Sequence, residues 1–275
     1  MKYHIPHAAI AIILTIATAT GLQSCELIDY HPYDVRITGP TDINAKNISR
    51  IEDKCQDKAQ IKVAAIGDTH KWYDELQWLV KDINSRLDID FVIHDGDMSE
   101  FGYTQEFIWT RDYLQDLNIP YVALIGNHDC LGTGKETFEA IFGTTNFEFI
   151  AGNIKFVCMN TNALEYDYSH PIPDFEFIMC ASTSRLDEFS HSVACMHARP
   201  GDDVFNNNVS TVFRHYVKML PGLMCCINGH GHSLKHDDLF GDGTIYHQTT
   251  SLDDRTYLLF TFNDDGTYEC EEIRF

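Results

Sequence analysis

The sequence predicts an α/β fold built on a mainly parallel sheet. From Ile61 onward, short apolar runs alternate with amphipathic stretches of helical period, the pattern of strands separated by crossover helices. The apolar runs are too short for buried helices, and five of them end in glycine, aspartate, asparagine or histidine. Hydrophobic residues make up 44% of 275 positions, enough to fill a substantial core.

Taken in order, residues 26–60 read as a connecting region punctuated by Pro32, Gly39 and Pro40. Ile48, Ile51 and Cys55 in it follow helical spacing, so a short amphipathic helix is expected to pack on the body. Residues 61–66 (IKVAAI) read as a buried strand. Trp72, Leu76, Leu79, Val80 and Ile83 line one face of a helix. Residues 90–94 form the next strand, 104–117 the next helix, 121–125 a third strand, and a helix follows near 135–142.

The second half is richer in strands. Gly152-Asn153 sits between two apolar runs in 147–160, a hairpin signal. Residues 192–197 and 223–228 are two more buried strands, with a helix expected at 209–219 between them. The tail holds candidate strands near 235–240, 244–249 and 256–262, then one ending at Phe275; Gly241-Asp242-Gly243 marks a turn. Residues 161–190, with Pro171 and Pro173, read as a long loop with a helix near its end.

The first residues read as a targeting segment rather than part of the fold. Lys2 precedes an apolar stretch from Ala8 to Ala19 that is shorter than the ~20 residues a bilayer span needs. It leads into Leu22-Gln23-Ser24-Cys25, which resembles a bacterial lipobox. Residues 1–24 are therefore expected to be a lipoprotein signal peptide, with Cys25 lipidated and the chain exported and anchored to the cell envelope. Residues 25–60 are the expected tether and short helix. No other apolar stretch reaches membrane length.

The net charge is −21, without a cluster of lysine or arginine to break it. Binding along a nucleic-acid backbone needs a basic footprint, so no nucleic-acid partner is expected. None of the nine cysteines forms a C-x-x-C pair, which gives no support to a structural zinc site. Cys158, Cys180, Cys195, Cys225 and Cys226 lie in or beside apolar runs, and most are expected to be free, buried small hydrophobes.

The strand ends carry the chemistry. The run 61–66 leads into Gly67-Asp68-Thr69-His70, and 90–94 into Asp95-Gly96-Asp97. The run 121–125 leads into Gly126-Asn127-His128-Asp129, 192–196 into His197, and 223–228 into Gly229-His230-Gly231-His232. Ligand sites in α/β sheets lie at the carboxyl ends of strands. Asp, Asn and His there are oxygen and imidazole donors suited to Zn, Mn or Fe.

As a set, these motifs resemble the calcineurin-like metallophosphoesterase superfamily over about residues 61–250. The resemblance implies a four-layer αββα sandwich, two mixed sheets flanked by helices, with the catalytic domain at 61–275. It implies two divalent metal ions. Asp68, His70 and His232 would hold the first, Asn127, His197 and His230 the second, and Asp97 would bridge both. A metal-bridging hydroxide would attack phosphorus in a phosphomonoester or phosphodiester. His128 would protonate the leaving oxygen, with a third metal ligand or a packing residue as its other readings. Glu100 would orient His128 through its carboxylate, or be a surface acid. Arg199 and Lys235 are candidates to meet a substrate phosphate. His94 is expected behind the ligands, and the role of Asp95 is open. Glu100-Phe101-Gly102 stands where protein Ser/Thr phosphatases carry Asp-Arg-Gly, and Glu100 stands where purple acid phosphatases carry a metal-bound tyrosine. Two other readings compete: a non-catalytic metal-holding surface lipoprotein, and a nuclease of the same superfamily. All seven ligand positions are filled, which argues against the first; the acidity argues against the second.

Overall fold

The computed structural model describes residues 34–163 and 172–275, so the predicted signal peptide and Cys25 lie outside the described residues. The described chain begins its regular structure with α1 (Ile43–Cys55) and continues β1 (Gln60–Ile66), α2 (Tyr73–Ser85), β2 (Phe91–His94), α3 (Thr104–Leu114), β3 (Tyr121–Ala123) and α4 (Gly134–Ile141). The hairpin β4 (Phe147–Ala151) and β5 (Ile154–Met159) follows, then α5 (Phe175–Thr183), β6 (His191–Met196), α6 (Ser210–Val217) and β7 (Leu223–Asn228). The tail is β8 (Lys235–Asp237), β9 (Tyr246–Gln248), β10 (Thr256–Asn263) and β11 (Tyr268–Arg274).

These strands form two mixed sheets flanked by helices, as the resemblance implies; the alternation by itself suggests only a mainly parallel sheet. The first has the order β11-β10-β1-β2-β3 and the second β4-β5-β6-β7-β9-β8. In each, parallel strands are flanked by antiparallel ones: β1-β2-β3 beside β10 and β11, and β5-β6-β7-β9 between β4 and β8. A strand's sequence does not say which of two sheets it joins, and that is why the runs read as one series.

The alternation of side chains along each strand explains why the runs are continuously apolar. Val63, Ala65, Phe91, Ile93, Phe156, Cys158, Cys195, Cys225 and Ile227 point into the layer between the sheets. Their neighbours Ala64, Ile66 and Val92 face outward onto α2, α3 and α4. Val157, Met159, Ala194, Met196 and Cys226 face outward onto α5 and α6. Both faces of these strands are covered, so both parities must be apolar. Adjacent Cys225 and Cys226 thus serve different layers. Phe91, Phe149, Phe156 and Phe262 pack edge-on and stacked at the centre of the inter-sheet layer.

The helix foreseen around Ile48–Cys55 is built into this body. Asn44 Nδ2 donates to the Ala123 carbonyl and Asn44 Oδ1 accepts from Ala123 N–H, both at 2.9 Å. Asn47 Nδ2 donates to the Tyr121 carbonyl at 2.8 Å. Side-chain amides of α1 thereby occupy backbone groups on the open edge of β3, an edge otherwise able to pair with another strand.

All eight described cysteines are free. Cys180 departs from the expected burial: α5 turns Ile178 and Ala181 inward and leaves Cys180 exposed. No helix among the described residues is long and apolar enough to cross a membrane.

Candidate metal centre

Five strand ends from both sheets converge: those of β1, β2 and β3, and those of β6 and β7. Two groups of side chains have their ligand atoms within 4.8 Å of one another: Asp68, His70, Asp97 and His232; and Asp97, His197 and His230. Asp97 belongs to both. Its carboxylate lies 3.7 Å from His70 Nε2 and 3.3 Å from His197 Nε2. Asp68 Oδ1 lies 3.2 Å from His232 Nε2, which is 3.4 Å from His70 Nε2. Asn127 Oδ1 lies 3.0 Å from His197 Nε2 and 2.9 Å from His230 Nδ1. All seven sequence-predicted ligands are therefore brought to one place.

The local backbone is bent to aim them. Asp68, His70, Asp97, His230 and His232 all have positive φ, five of the eight non-glycine residues that do so among the described residues. Each such placement costs on the order of 1 kcal/mol, so strain is concentrated where the side chains must converge. The glycines make room. At Gly126 a Cβ would lie 2.1 Å from Asp97 Oδ1, and at Gly96 (φ +114°) 2.5 Å from His197 Nδ1.

The outer nitrogens of three imidazoles have partners that set their tautomers. His197 Nδ1–H donates to the Asp95 carbonyl (2.9 Å), His70 Nδ1–H to the Ser99 carbonyl (3.3 Å), and His230 Nε2–H to the Asp203 carboxylate (2.9 Å). The inner nitrogen of each ring is then a lone pair. Two of those lone pairs point at the Asn127 oxygen, itself an acceptor. Asp68 Oδ1 is fully buried, 3.2 Å from His232 Nε2 and 3.9 Å from His70 Nε2. Acceptors that face acceptors in a buried site need a cation, so the residues fit the divalent metals that this donor set suits.

Without a cation the charges fall on protons. Burial opposes a charged His197, but Asp97, followed by Asp68 and Asp95, raises its pKa to about 10. Burial also pushes the Asp97 carboxyl upward, yet His197, His70 and His128 hold it well below the usual carboxylate range. Burial lowers the pKa of His70 against the pull of Asp97 and Asp68, and a hydrogen bond with Asp68 raises that of His232.

The surrounding residues hold the ligand loops. Buried Asp129 accepts from the N–H groups of Met98 (3.2 Å), Ser99 (2.9 Å) and Gly126 (2.9 Å) and from Ser99 Oγ (2.8 Å). It thereby ties the loop of Asp97 to that of Asn127. His94, which burial lowers to about 3, accepts from Gly96 N–H and bonds Thr69 Oγ1 at 3.1 Å, between two ligands. Asp95 accepts from Thr249 Oγ1 (2.7 Å) and orients His197 through its carbonyl. Asp203 was not singled out in the sequence. Its signal is the pair Asp202-Asp203 in the loop after His197, but nothing in the spacing links it to His230.

His128 is half-buried beside the cluster, its ring centroid 4.7 Å from that of His70. Its N–H donates to Asp97 Oδ1 (2.8 Å), and its Nδ1–H donates to the Glu100 carbonyl (2.7 Å). The contact from Glu100 thus runs through its main chain. The Glu100 carboxylate instead meets His70 Nδ1 (3.5 Å) and Lys71 Nζ (3.1 Å), because the backbone turn at Glu100 points the carbonyl, not the side chain, at His128. Arg199 is buried, and its guanidinium is engaged by Asp237 at 2.8 Å; Lys235 is exposed on β8.

The profile of the calcineurin-like phosphoesterases matches residues 61–234, which includes all of this cluster. The chain belongs to that family. Membership supports a metal-dependent phosphoester hydrolase. Among solved structures, this phosphoesterase is similar to a purple acid phosphatase from yellow lupin (Lupinus luteus) seeds, with 13% identity and a TM-score of 0.59 over 80% of this chain and 52% of that one. It therefore spans about half the length of the lupin enzyme. It is similar to GAP50, the anchor in the inner membrane complex of Plasmodium, with 11% identity and a TM-score of 0.57 over 79% and 85% of the two chains. It is also similar to a dimetal phosphatase from Danio rerio, with 11% identity and a TM-score of 0.52 over 78% and 98%. At these identities the likeness is one of fold. No curated protein sequence matches this chain.

Proposed function

We propose that this phosphoesterase hydrolyses small phosphomonoesters or phosphodiesters at a dinuclear centre in which Asp97 is the shared ligand. The observation that carries the reading is the membership of Asp97 in both ligand groups. Asp68, His70 and His232 complete one side; Asn127, His197 and His230 complete the other. When bound, Mn, Fe or Zn ions supply the Lewis acidity that activates water near neutral pH and neutralises charge on the phosphoryl oxygens.

The chain's own residues supply alignment and proton transfer. The Asp95 carbonyl, the Ser99 carbonyl and the Asp203 carboxylate keep His197, His70 and His230 in ligating tautomers. His128 donates Nδ1–H to the Glu100 carbonyl, so the Nε2–H of its protonated ring is the proton available to a leaving oxygen. The Glu100 carboxylate lies 3.5 Å from His70 Nδ1 and balances the charge of Lys71.

The net charge of −21 favours small substrates over nucleic acid. The basic-apolar start and Leu22-Gln23-Ser24-Cys25 support export and a lipid tether at Cys25, which would hold the centre on the periplasmic or cell-surface face of the envelope. The test is to supply the full chain with Mn²⁺, Zn²⁺ or Fe²⁺ and assay aryl phosphate monoesters and diesters. Metal-dependent release of the aryl alcohol is expected. Failure with both ester classes under every metal contradicts the reading.

A further inference from the structure

A second cluster of imidazole and thiol groups lies apart from the Asp97 centre and shares no residue with it. His236 on β8, His247 on β9 and Cys270 on β11 have ligand atoms within 4.8 Å of one another. His236 and His247 stand directly opposite in the antiparallel β8–β9 pair of the second sheet. Cys270 comes from the edge strand of the first sheet. The three residues therefore join the two sheets at one margin of the sandwich.

Their hydrogen bonds have the form of a ligand set. His236 Nδ1 and His247 Nδ1 face each other at 2.7 Å. On the far side of each ring, His247 Nε2 meets Tyr268 Oη at 2.8 Å and His236 Nε2 meets a Glu272 carboxylate oxygen at 3.4 Å. A carboxylate accepts only from an N–H, which places the His236 proton on Nε2 and leaves Nδ1 as a lone pair. Phenol and carboxylate partners on the outer nitrogens are the arrangement that fixes metal-binding histidines.

We propose that His236 Nδ1, His247 Nδ1 and Cys270 Sγ hold one divalent cation of the zinc type. Imidazole with thiolate selects a borderline-soft ion over Mg²⁺ or Mn²⁺. Tetrahedral zinc with Zn–N near 2.0 Å needs its two nitrogens roughly 3.3 Å apart, so the pair must open by about half an ångström. His236 is exposed and can swing. His247 is buried; with Nε2–H donated to Tyr268 Oη, its Nδ1 carries the lone pair. A coordinated thiol is deprotonated, so uptake of the cation releases the Cys270 proton to solvent. The Glu272 carboxylate, 3.4 Å from His236 Nε2, helps offset the charge the cation brings. The site would act as a clip between β8–β9 and β11, and it stands independently of the phosphoester reading.

The experiment uses the full-length chain, stripped of metal and titrated with Co²⁺. The Asp97 centre offers only nitrogen and oxygen, so a thiolate-to-cobalt charge-transfer band reports a cysteine site, and Cys270→Ser assigns it. The band is expected to saturate with one thiolate-bound cation per chain beyond those taken by the Asp97 centre, to be displaced by Zn²⁺, and to vanish in Cys270→Ser. His236→Ala, at an exposed position, is expected to weaken Co²⁺ binding at this site at least tenfold while leaving Mn²⁺-dependent phosphoesterase activity unchanged. Absence of the band at saturating Co²⁺ overturns the proposal, as does its survival in Cys270→Ser. If Cys270→Ser does not fold, an unweakened band in His236→Ala overturns it.

Discussion

Asp203 offers a separation of metal affinity from fold. It lies on the loop after β6, its side chain is 84% exposed, and its carboxylate accepts from His230 Nε2 at 2.9 Å. That bond keeps the proton of His230 on the outer nitrogen and turns Nδ1 toward Asn127. Replacing the partner of a ligating histidine typically costs 10- to 100-fold in metal affinity or activity. Solvent screens an exposed contact and water can replace it in part, so the lower end applies. Asp203→Ala should therefore raise the metal concentration for half-maximal activity about tenfold, and excess metal should restore most of kcat. The metal-free variant should melt with the parent, because nothing buried is lost. The assay is a Mn²⁺ titration of aryl phosphate hydrolysis beside a thermal melt of the stripped protein. A metal requirement within twofold of the parent would refute the orienting role, and a lowered melting temperature in the stripped protein would show that the residue acts on the fold.

The remaining expectations concern proton delivery, loop anchoring and pH. His128→Ala should lower kcat by about 10²- to 10⁴-fold for alkyl phosphates but far less for a nitrophenyl ester, whose leaving oxygen needs little protonation; equal losses for both would remove the acid role. Asp129→Ala leaves the N–H groups of Met98, Ser99 and Gly126 without their buried acceptor. At about 1–3 kcal/mol per orphaned group, the denaturant midpoint should fall sharply even without metal, and an unchanged midpoint would contradict the anchoring. In the metal-free chain the pKa of His197 is raised to about 10. Its contribution to stability is fully present below the unfolded value of about 6.5 and is lost as pH rises through 10. Urea midpoints of the stripped protein should decline across that window relative to His197→Gln. Metal uptake should improve across the same window, because the proton and the cation compete for Nε2.

Much of the fold and of the candidate centre was legible in the sequence because both rest on local signals. A buried strand followed by glycine and a polar pair is visible within one stretch of about ten residues, and four such stretches, with His197 at a fifth strand end, name the convergent residues. What was hidden depends on neighbours far apart in the chain or on backbone direction. The division into two sheets followed from the resemblance carried by the strand-end motifs and not from the strands themselves, because β1 and β6 have the same apolar character. The meeting of Asp203 with His230 joins two loops with no shared motif. Glu100 was read as meeting His128 through its carboxylate, but which of its groups faces the ring is set by the turn, and the turn presents the carbonyl. The His236, His247 and Cys270 cluster has no spacing signature because three strands of two sheets assemble it.

The central claim is that Asp97 is shared by two cations. Electron paramagnetic resonance of the full chain loaded with Mn²⁺ tests this most directly, since two Mn²⁺ ions joined by a common ligand are magnetically coupled. The account predicts a coupled spectrum at two Mn²⁺ per chain, replaced in Asp97→Asn by an isolated-ion signal with loss of hydrolysis. An isolated-ion spectrum in the parent at full loading, or a coupled spectrum and full activity in Asp97→Asn, would contradict it.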